Sequence, residues 1–246
     1  MNKYIDTHMH LDLSKDHKKL IKLIEENDMT VISMTNHPMV YKKFVKMVYS
    51  DNIRIALGFH PEVIEQHSDY LKEMLNLIPE AKYIGEVGLD FSKKTDDEKS
   101  YQISSFEKII LACHKYGNKL LSIHSRGSVN EVLSIIPRDF TCSVILHWYS
   151  DNEKNLIAAI ERGYYFSINL SMMNSNKFKS ILNKIPKDRL LIETDYPFIN
   201  NNEDAYKVQI DNTIYELANY YNTHEENLIK QLKHNFTKLI RETFLN

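Results

Sequence analysis

Eight short β-like runs alternate with longer stretches of helical periodicity, and this alternation constrains the fold of the 246-residue chain more than any other feature. The runs are Tyr4–Thr7, Thr30–Thr35, Ile53–Leu57, Lys82–Val87, Lys119–Ile123, Cys142–Leu146, Tyr164–Asn169 and Arg189–Glu193. Between them apolar residues recur at helical steps, as in Leu20, Ile21, Leu23 and Ile24, and across Tyr101–Tyr116 through Ile103, Phe106, Ile109, Ile110 and Cys113. Two further helical patterns, Ala205–Tyr221 and Glu225–Phe244, close the chain, and Thr223 with Glu226 has the spacing of a capping box. Strands and helices alternating on this scale argue for a parallel sheet. Eight such units favour closure into a TIM (β/α)8 barrel, with an extra C-terminal helix, over an open doubly wound sheet. The first run is followed by no Gly-rich dinucleotide fingerprint. The expectation is one α/β barrel domain over residues 1–246, because Gly 6 and Pro 6 leave little sign of a linker and no repeat stands out.

Composition narrows the class. A formal charge of -2 leaves no basic body to attract phosphate over long range, so any nucleic acid would be handled at a local site. Cys113 and Cys142 lack a metal-binding spacing and read as reduced core thiols. The start MNKYIDTH enters a strand almost at once, without an apolar leader, and no stretch approaches the roughly 18 apolar residues of a membrane span. A soluble cytoplasmic protein is the expectation.

The polar residues at the strand ends carry the chemistry. His8 and His10 follow the first run, and a His-x-His step on extended backbone points both rings the same way. Taken alone, they read equally well as solvated strand-end residues. Glu86 lies in Gly85-Glu86-Val87-Gly88 on a hydrophobic strand, where a carboxylate is costly unless paired or bound to a cation. The flanking glycines suggest close approach of a ligand. His124 and His147 each end an apolar run, and Asp195 follows Leu190-Leu191-Ile192-Glu193-Thr194. One such histidine is more often a core residue than a ligand, but in a barrel all six side chains converge on one rim. Six ligands exceed the need of one ion and suit two, with Glu86 as the bridge and Asp195 as candidate general base. Phosphodiester hydrolysis fits this set, and the ligands alone leave amide or phosphomonoester hydrolysis open.

Other rim residues are weighed beside bland roles. His60, in Gly58-Phe59-His60-Pro61, suits contact with a phosphate or attacking water, or a helix cap. Arg126 suits bidentate phosphate binding, or a surface ion pair. His37 reads as solvated loop rather than entrance, and Glu193 as a hydrogen-bond partner of a ligating histidine. Phe91, Trp148 and Tyr149 could stack unpaired bases or pack the rim. His17, His67, His114, His224 and His234 are assigned no role.

In order along the chain stand DTHMHL, GFHP, YIGEVGLDF, LSIHSR, ILHWYS and PKDRLLIETDYPF. On these motifs the sequence resembles the TatD-like metal-dependent deoxyribonucleases over nearly its whole length. The resemblance implies a (β/α)8 barrel that hydrolyses DNA, often from the 3′ end of single strands, with two divalent ions (Mg2+, Mn2+ or Zn2+). It implies His8, His10, Glu86 and Asp195 around one metal, Glu86, His124 and His147 around the second, and His60 and Arg126 near the scissile phosphate. Two features depart from the family pattern. His147-Trp148-Tyr149-Ser150-Asp151 stands where His-Cys-Phe-Ser-Gly is usual, and the acidic, Asn-rich Ile199–Asp204 replaces the usual long loop. That puts the substrate-end contacts in question and leaves the ligand set intact. LSIHSR, LHW, the FSIN segment and ETDYPF most resemble the TatD-type component of bacterial Qat anti-phage defence systems, which would bring operon partner proteins. The competing readings are a barrel acting on a small phosphoester or amide, and a defence-complex subunit that mainly binds partners. Glu86 standing where a carbamylated lysine would bridge weakens the amide version, and the complete ligand set argues against a binding-only scaffold.

Overall fold

Every apolar run forms a strand in the computed structural model, which describes residues 4–63 and 68–245. The strands are β1 (Tyr4–Met9), β2 (Met29–Ser33), β3 (Ile53–Ile55), β4 (Leu57–Phe59), β5 (Tyr83–Gly88), β6 (Leu120–His124), β7 (Ser143–His147), β8 (Tyr165–Ile168) and β9 (Leu190–Ile192). All pairings are parallel, in the orders β1-β2-β3 and β4-β5-β6-β7-β8-β9. β3 and β4 are one barrel strand broken at Ala56, whose N–H turns to the Ser33 carbonyl at 2.8 Å. The seam closes beyond β9, where the Asp195 N–H donates to the His8 carbonyl (2.9 Å) and the His10 N–H to the Tyr196 carbonyl (2.8 Å). Eight strand positions therefore complete a (β/α)8 barrel, as the alternation led us to expect.

Helices α1 (His17–Glu26), α2 (Pro38–Met47), α3 (Ser68–Leu77), α4 (Asp96–Tyr116), α5 (Val129–Ile135), α6 (Glu153–Glu161), α7 (Leu170–Met173), α8 (Asn176–Leu182) and α9 (Tyr206–Tyr220) run between or after the strands, and α10 (Glu225–Phe244) is the extra element. The apolar residues divide by strand parity. Ile5, Ile32, Leu120, Ile145 and Leu191 face inward, where Phe236 and Leu239 of α10 close the barrel floor. Leu121, Val144, Leu146, Leu190 and Ile192 face the helices. Asn235 fixes α10 to the start of β9, donating Nδ2–H to the carbonyls of Lys187 (2.6 Å) and Leu190 (2.7 Å). Among the described residues no helix is long and apolar enough to cross a membrane.

Two capping expectations change. The box expected at Thr223 and Glu226 is absent: the N-cap of α10 is His224, with no side-chain cap bond, because the helix starts one residue later than that box requires. A real box opens α4, which begins earlier than its apolar periodicity. The Glu98 N–H donates to Thr95 Oγ1 at 3.3 Å and the Thr95 N–H to Glu98 Oε2 at 2.6 Å. Thr95→Ala should therefore lower stability by about 1 kcal/mol in urea titration, and no change would show that the 21-residue helix does not depend on this cap.

The glycines beside Glu86 serve neighbouring strands rather than a ligand. A Cβ on Gly85 would lie 2.4 Å from Met34 Sδ. Gly88 has φ +143°, and a Cβ there would lie 2.0 Å from the His124 carbonyl oxygen. Cys113 is buried as expected, whereas Cys142 is half-exposed at the foot of β7; both are free thiols.

Candidate metal centre

Strand parity alone would misplace three of the expected ligands. Ile5 faces the barrel interior, so His8 and His10 should face the helices, yet the β1–β2 register shifts between Asp6 and Met9. The β5 register likewise shifts between Ile84 and Val87. Such irregularities re-aim the side chains beyond them, and His8, His10 and Glu86 turn inward. His124, His147 and Asp195 need no correction, being two or four residues beyond the inward-facing Leu120, Ile145 and Leu191.

Glu86 is 2% exposed at the centre of the cluster. Its Oε2 lies 3.4 Å from His8 Nε2 and 3.2 Å from His10 Nε2. Its Oε1 lies 2.6 Å from His124 Nδ1, 2.9 Å from His147 Nε2 and 3.3 Å from His60 Nε2. On the first side the two Nε2 atoms are 3.3 Å apart, and Asp195 Oδ1 is 3.7 and 3.6 Å from them. Nitrogen and oxygen donors about 2.1 Å from a tetrahedral ion stand about 3.4 Å from one another. This half therefore has the spacing and the N/O chemistry of a cation site. On the second side Glu86 holds His124 and His147 at hydrogen-bonding distance, with their nitrogens 3.5 Å apart. His60, Glu86 and His124 also bring one donor atom each within 4.8 Å of one another, as do His8, His10 and Glu86, and His8, His147 and Glu193. The residues present fit divalent cations.

The cluster opens into a cavity of about 480 Å3, lined also by Glu62, Ser125, Arg126, Trp148, Ser150 and Phe198. The family model for TatD related DNase matches residues 5–241. This chain belongs to that family. It is accordingly a metal-dependent hydrolase acting on ester bonds. A metal-dependent hydrolase of Buchnera aphidicola is 27% identical, over 96% of this chain and 95% of its own. The human deoxyribonuclease TATDN3 is 25% identical, over 78% of this chain and 77% of its own. The structure of YJJV, a TatD homologue from Escherichia coli, superposes with a TM-score of 0.81 at 20% identity, covering 96% of this chain and 97% of that one. The last likeness establishes the fold.

Around this TatD-type cluster stand acids that sequence reasoning did not single out. Asp90, in the GLDF segment, is fully buried and accepts from His124 Nε2–H at 2.8 Å, which leaves Nδ1 facing Glu86. Burial opposes its charge, but His124 and Ser92 hold its carboxyl down to about 2. His124 is likewise opposed by burial and lifted by Asp90 and Glu86 to about 9. Asp90→Asn keeps the shape and removes the charge, so metal affinity should fall about tenfold or more. Calorimetric titration with Mn2+ reads this, and an unchanged affinity would show that His124 needs no orienting acid. Asp6, also buried, accepts from the N–H groups of His8 and Thr194, from Thr194 Oγ1 and from Tyr206 OH. Burial pushes its carboxyl up to about 7, while these four donors favour the ionised form. It pins β1 to the segment carrying Asp195. Ser122 stands 2.8 Å from His8 Nδ1, positioned to accept its proton and leave Nε2 as the donor atom. Parity marks Ser122, two residues before His124; Asp6 and Asp90 could have been sought only as acids next to the ligand motifs.

Electrostatically the cluster is built around Glu86. Burial opposes its ionisation, yet His60, His147, His10 and His124 hold its carboxyl well below the ordinary range. Burial pulls against protonated His147, but Glu86 and Glu193 hold it well above its usual value. Burial, with His147 beside it, keeps His8 well below. Burial pushes Asp195 up to about 7 against His147 and His10.

The remaining sequence candidates divide. His60 lines the cavity and also accepts the Glu62 N–H at Nδ1 (3.1 Å), so it both caps the loop and faces Glu86. Arg126 lines the cavity, exposed, and its side chain pairs with no carboxylate among the described residues. Glu193 lies 3.6 Å from His147 Nδ1, beyond a hydrogen bond, and instead accepts from the Trp148 N–H, Asn169 Nδ2 and Ser167 Oγ. Tyr149 is not available for stacking: it is 1% exposed, bonds the Asn152 carbonyl and packs on Phe166, because it points away from the rim into the helix layer. Phe91 lies outside the cavity, while Trp148 lines it. Phe198, which sequence reasoning passed over, is 62% exposed with its ring edge-on to His10 at 5.3 Å. His37 caps α2 by accepting the Met39 N–H. His67 lies outside the described residues. The loop after Asp195 is tied back by Glu203, which accepts from Ser14, Tyr196 and the N–H groups of Lys15 and Asp16.

Proposed function

We propose that the chain is a single-domain, two-metal deoxyribonuclease acting on single strands or 3′ ends. The observation that carries this is Glu86, with Oε2 facing His8 and His10 and Oε1 facing His124 and His147. His8, His10, Glu86 and Asp195 would hold one divalent ion, and Glu86, His124 and His147 the other, with Mg2+, Mn2+ and Zn2+ as the candidates. Ions bound there supply Lewis acidity and lower the pKa of water. Asp195, at the cavity wall, is placed to accept a proton from the attacking water. Arg126, which pairs with no carboxylate among the described residues, presents its guanidinium to a phosphate, and His60 Nε2 faces the same cavity. Trp148 and Phe198 give the cavity aromatic walls, which suit unstacked bases. The name deoxyribonuclease borne by the human relative supports DNA as substrate.

A panel of labelled single-stranded DNA, duplex DNA, RNA and p-nitrophenyl phosphate, each with Mg2+, Mn2+ or Zn2+, tests this. Metal-dependent cleavage of single-stranded DNA from one end is the expected result. Activity confined to p-nitrophenyl phosphate would favour the second reading, a small phosphoester, which the cavity of about 480 Å3 also suits. A cytoplasmic role in anti-phage defence, with partner proteins of the same operon, rests on the LSIHSR, LHW and ETDYPF segments. Loss of phage protection when the Glu86→Gln gene replaces the intact one would support it, and unchanged protection would oppose a catalytic part.

A further inference from the structure

The barrel end opposite the candidate metal centre carries a second polar cavity, of about 240 Å3, at the feet of β7, β8 and β9. Its charged lining is Arg138, Arg162, Arg189 and Glu242, so three guanidiniums face one carboxylate and two positive charges remain. Glu242 is already engaged, its Oε2 accepting from Tyr165 OH at 2.8 Å and from Arg189 Nη1 at 3.3 Å. Arg189 is held further by stacking over the Tyr165 ring at 4.7 Å. Arg162 is fixed through Nη1–H donated to the Ile136 carbonyl at 2.7 Å. Neither Arg162 nor Arg138 pairs with a carboxylate among the described residues. Tyr164 also lines the cavity; it is 6% exposed, and its buried hydroxyl, beside the Arg162 guanidinium, finds no acceptor for its proton among the described residues. Buried polar groups are ordinarily satisfied, so a hydroxyl without an acceptor, beside two guanidiniums that pair with no carboxylate among the described residues, points to an absent acceptor.

We propose that this cavity binds a small phosphate-bearing anion, between inorganic phosphate and a sugar phosphate in size. Guanidinium forks match the oxygens of a phosphate, and a dianion balances the two excess charges. The volume lies below the roughly 300–1,000 Å3 of pockets for drug-sized ligands, which limits the ligand to that size. The three arginines come from segments that precede strands, whereas the metal-centre candidates stand at or beyond strand C-terminal ends, so the two sites share no residue.

Titration calorimetry of the full chain in EDTA, with inorganic phosphate and pyrophosphate as probes and citrate as a carboxylate control, tests the site without metal-borne binding. Saturable one-to-one phosphate binding is expected, equal in Glu86→Gln. Arg138→Gln alters an exposed side chain that pairs with no carboxylate among the described residues, and should weaken binding about tenfold or more. Tyr164→Phe removes one oxygen and should weaken it several-fold. No saturable binding, binding lost in Glu86→Gln, or binding that survives both Arg138→Gln and Tyr164→Phe would overturn the site. Citrate binding more tightly than either phosphate probe would overturn the phosphate assignment.

Discussion

Glu86→Gln is expected to lower metal-dependent hydrolysis by at least roughly a thousandfold, the equivalent of about 4 kcal/mol in the barrier, while the barrel stays folded. The substitution keeps volume and shape. It removes the one negative charge that faces His8 and His10 with one oxygen and His124, His147 and His60 with the other. An amide presents an oxygen to one side only and an NH2 group to the other, so one set of imidazoles loses its acceptor. Metal content of the purified variant, measured by mass spectrometry, should fall with activity, and circular dichroism should remain that of the parent. Equal cleavage by variant and parent, after metal stripping and refilling, would sink the two-metal reading.

Gly58→Ala is expected to be the most damaging small substitution in the barrel, costing about 4 kcal/mol or preventing folding. A Cβ there would lie 1.4 Å from the Thr35 carbonyl oxygen and 2.4 Å from its carbon. Thr35 cannot retreat, since its N–H donates to the Gly85 carbonyl and its own carbonyl accepts the Glu86 N–H. Its hydroxyl donates to the Ala56 carbonyl and accepts the Gly58 N–H. The chain leaving β2 thus crosses Gly58 to bond β5 beside the residue that organises the metal centre. Urea unfolding measures the loss, and a cost under about 1 kcal/mol would mean this crossing yields easily. Activity in any folded Gly58→Ala protein should fall as well, because Glu86 takes its position from Thr35.

Much of this was legible in residue order. The eight runs became the eight strand positions, since apolar β-like segments separated by helix-period segments have few other ways to bury both faces. The six candidate ligands could be chosen because polar side chains at the ends of buried strands are costly without a partner. Errors fell where a neighbour in space decided. Tyr149 looks like a rim aromatic in sequence, but it follows Trp148, whose φ is +41°, and turns into the helix layer. The Gly85 and Gly88 gaps, read as room for a ligand, are filled by Met34 and by the backbone at His124. Phe198 closes the quoted PKDRLLIETDYPF motif, but nothing in that string separates an aromatic that lines the cavity from one that packs the rim.

Taken alone, the sequence determined the class of fold, the inward parity of His124, His147 and Asp195, and the N/O character of the donor set. These depend on periodicity and on side-chain chemistry, which are local. Only the tertiary structure decided that His8, His10 and Glu86 reach the same point. Two register shifts, between Asp6 and Met9 and between Ile84 and Val87, reverse the parity that their strands begin with. Register is set by pairing with neighbouring strands, here β2 and β6, and a one-residue slip moves a side chain to the opposite face. The division of Glu86 between two sets of histidines follows from that reversal, which composition and spacing do not encode.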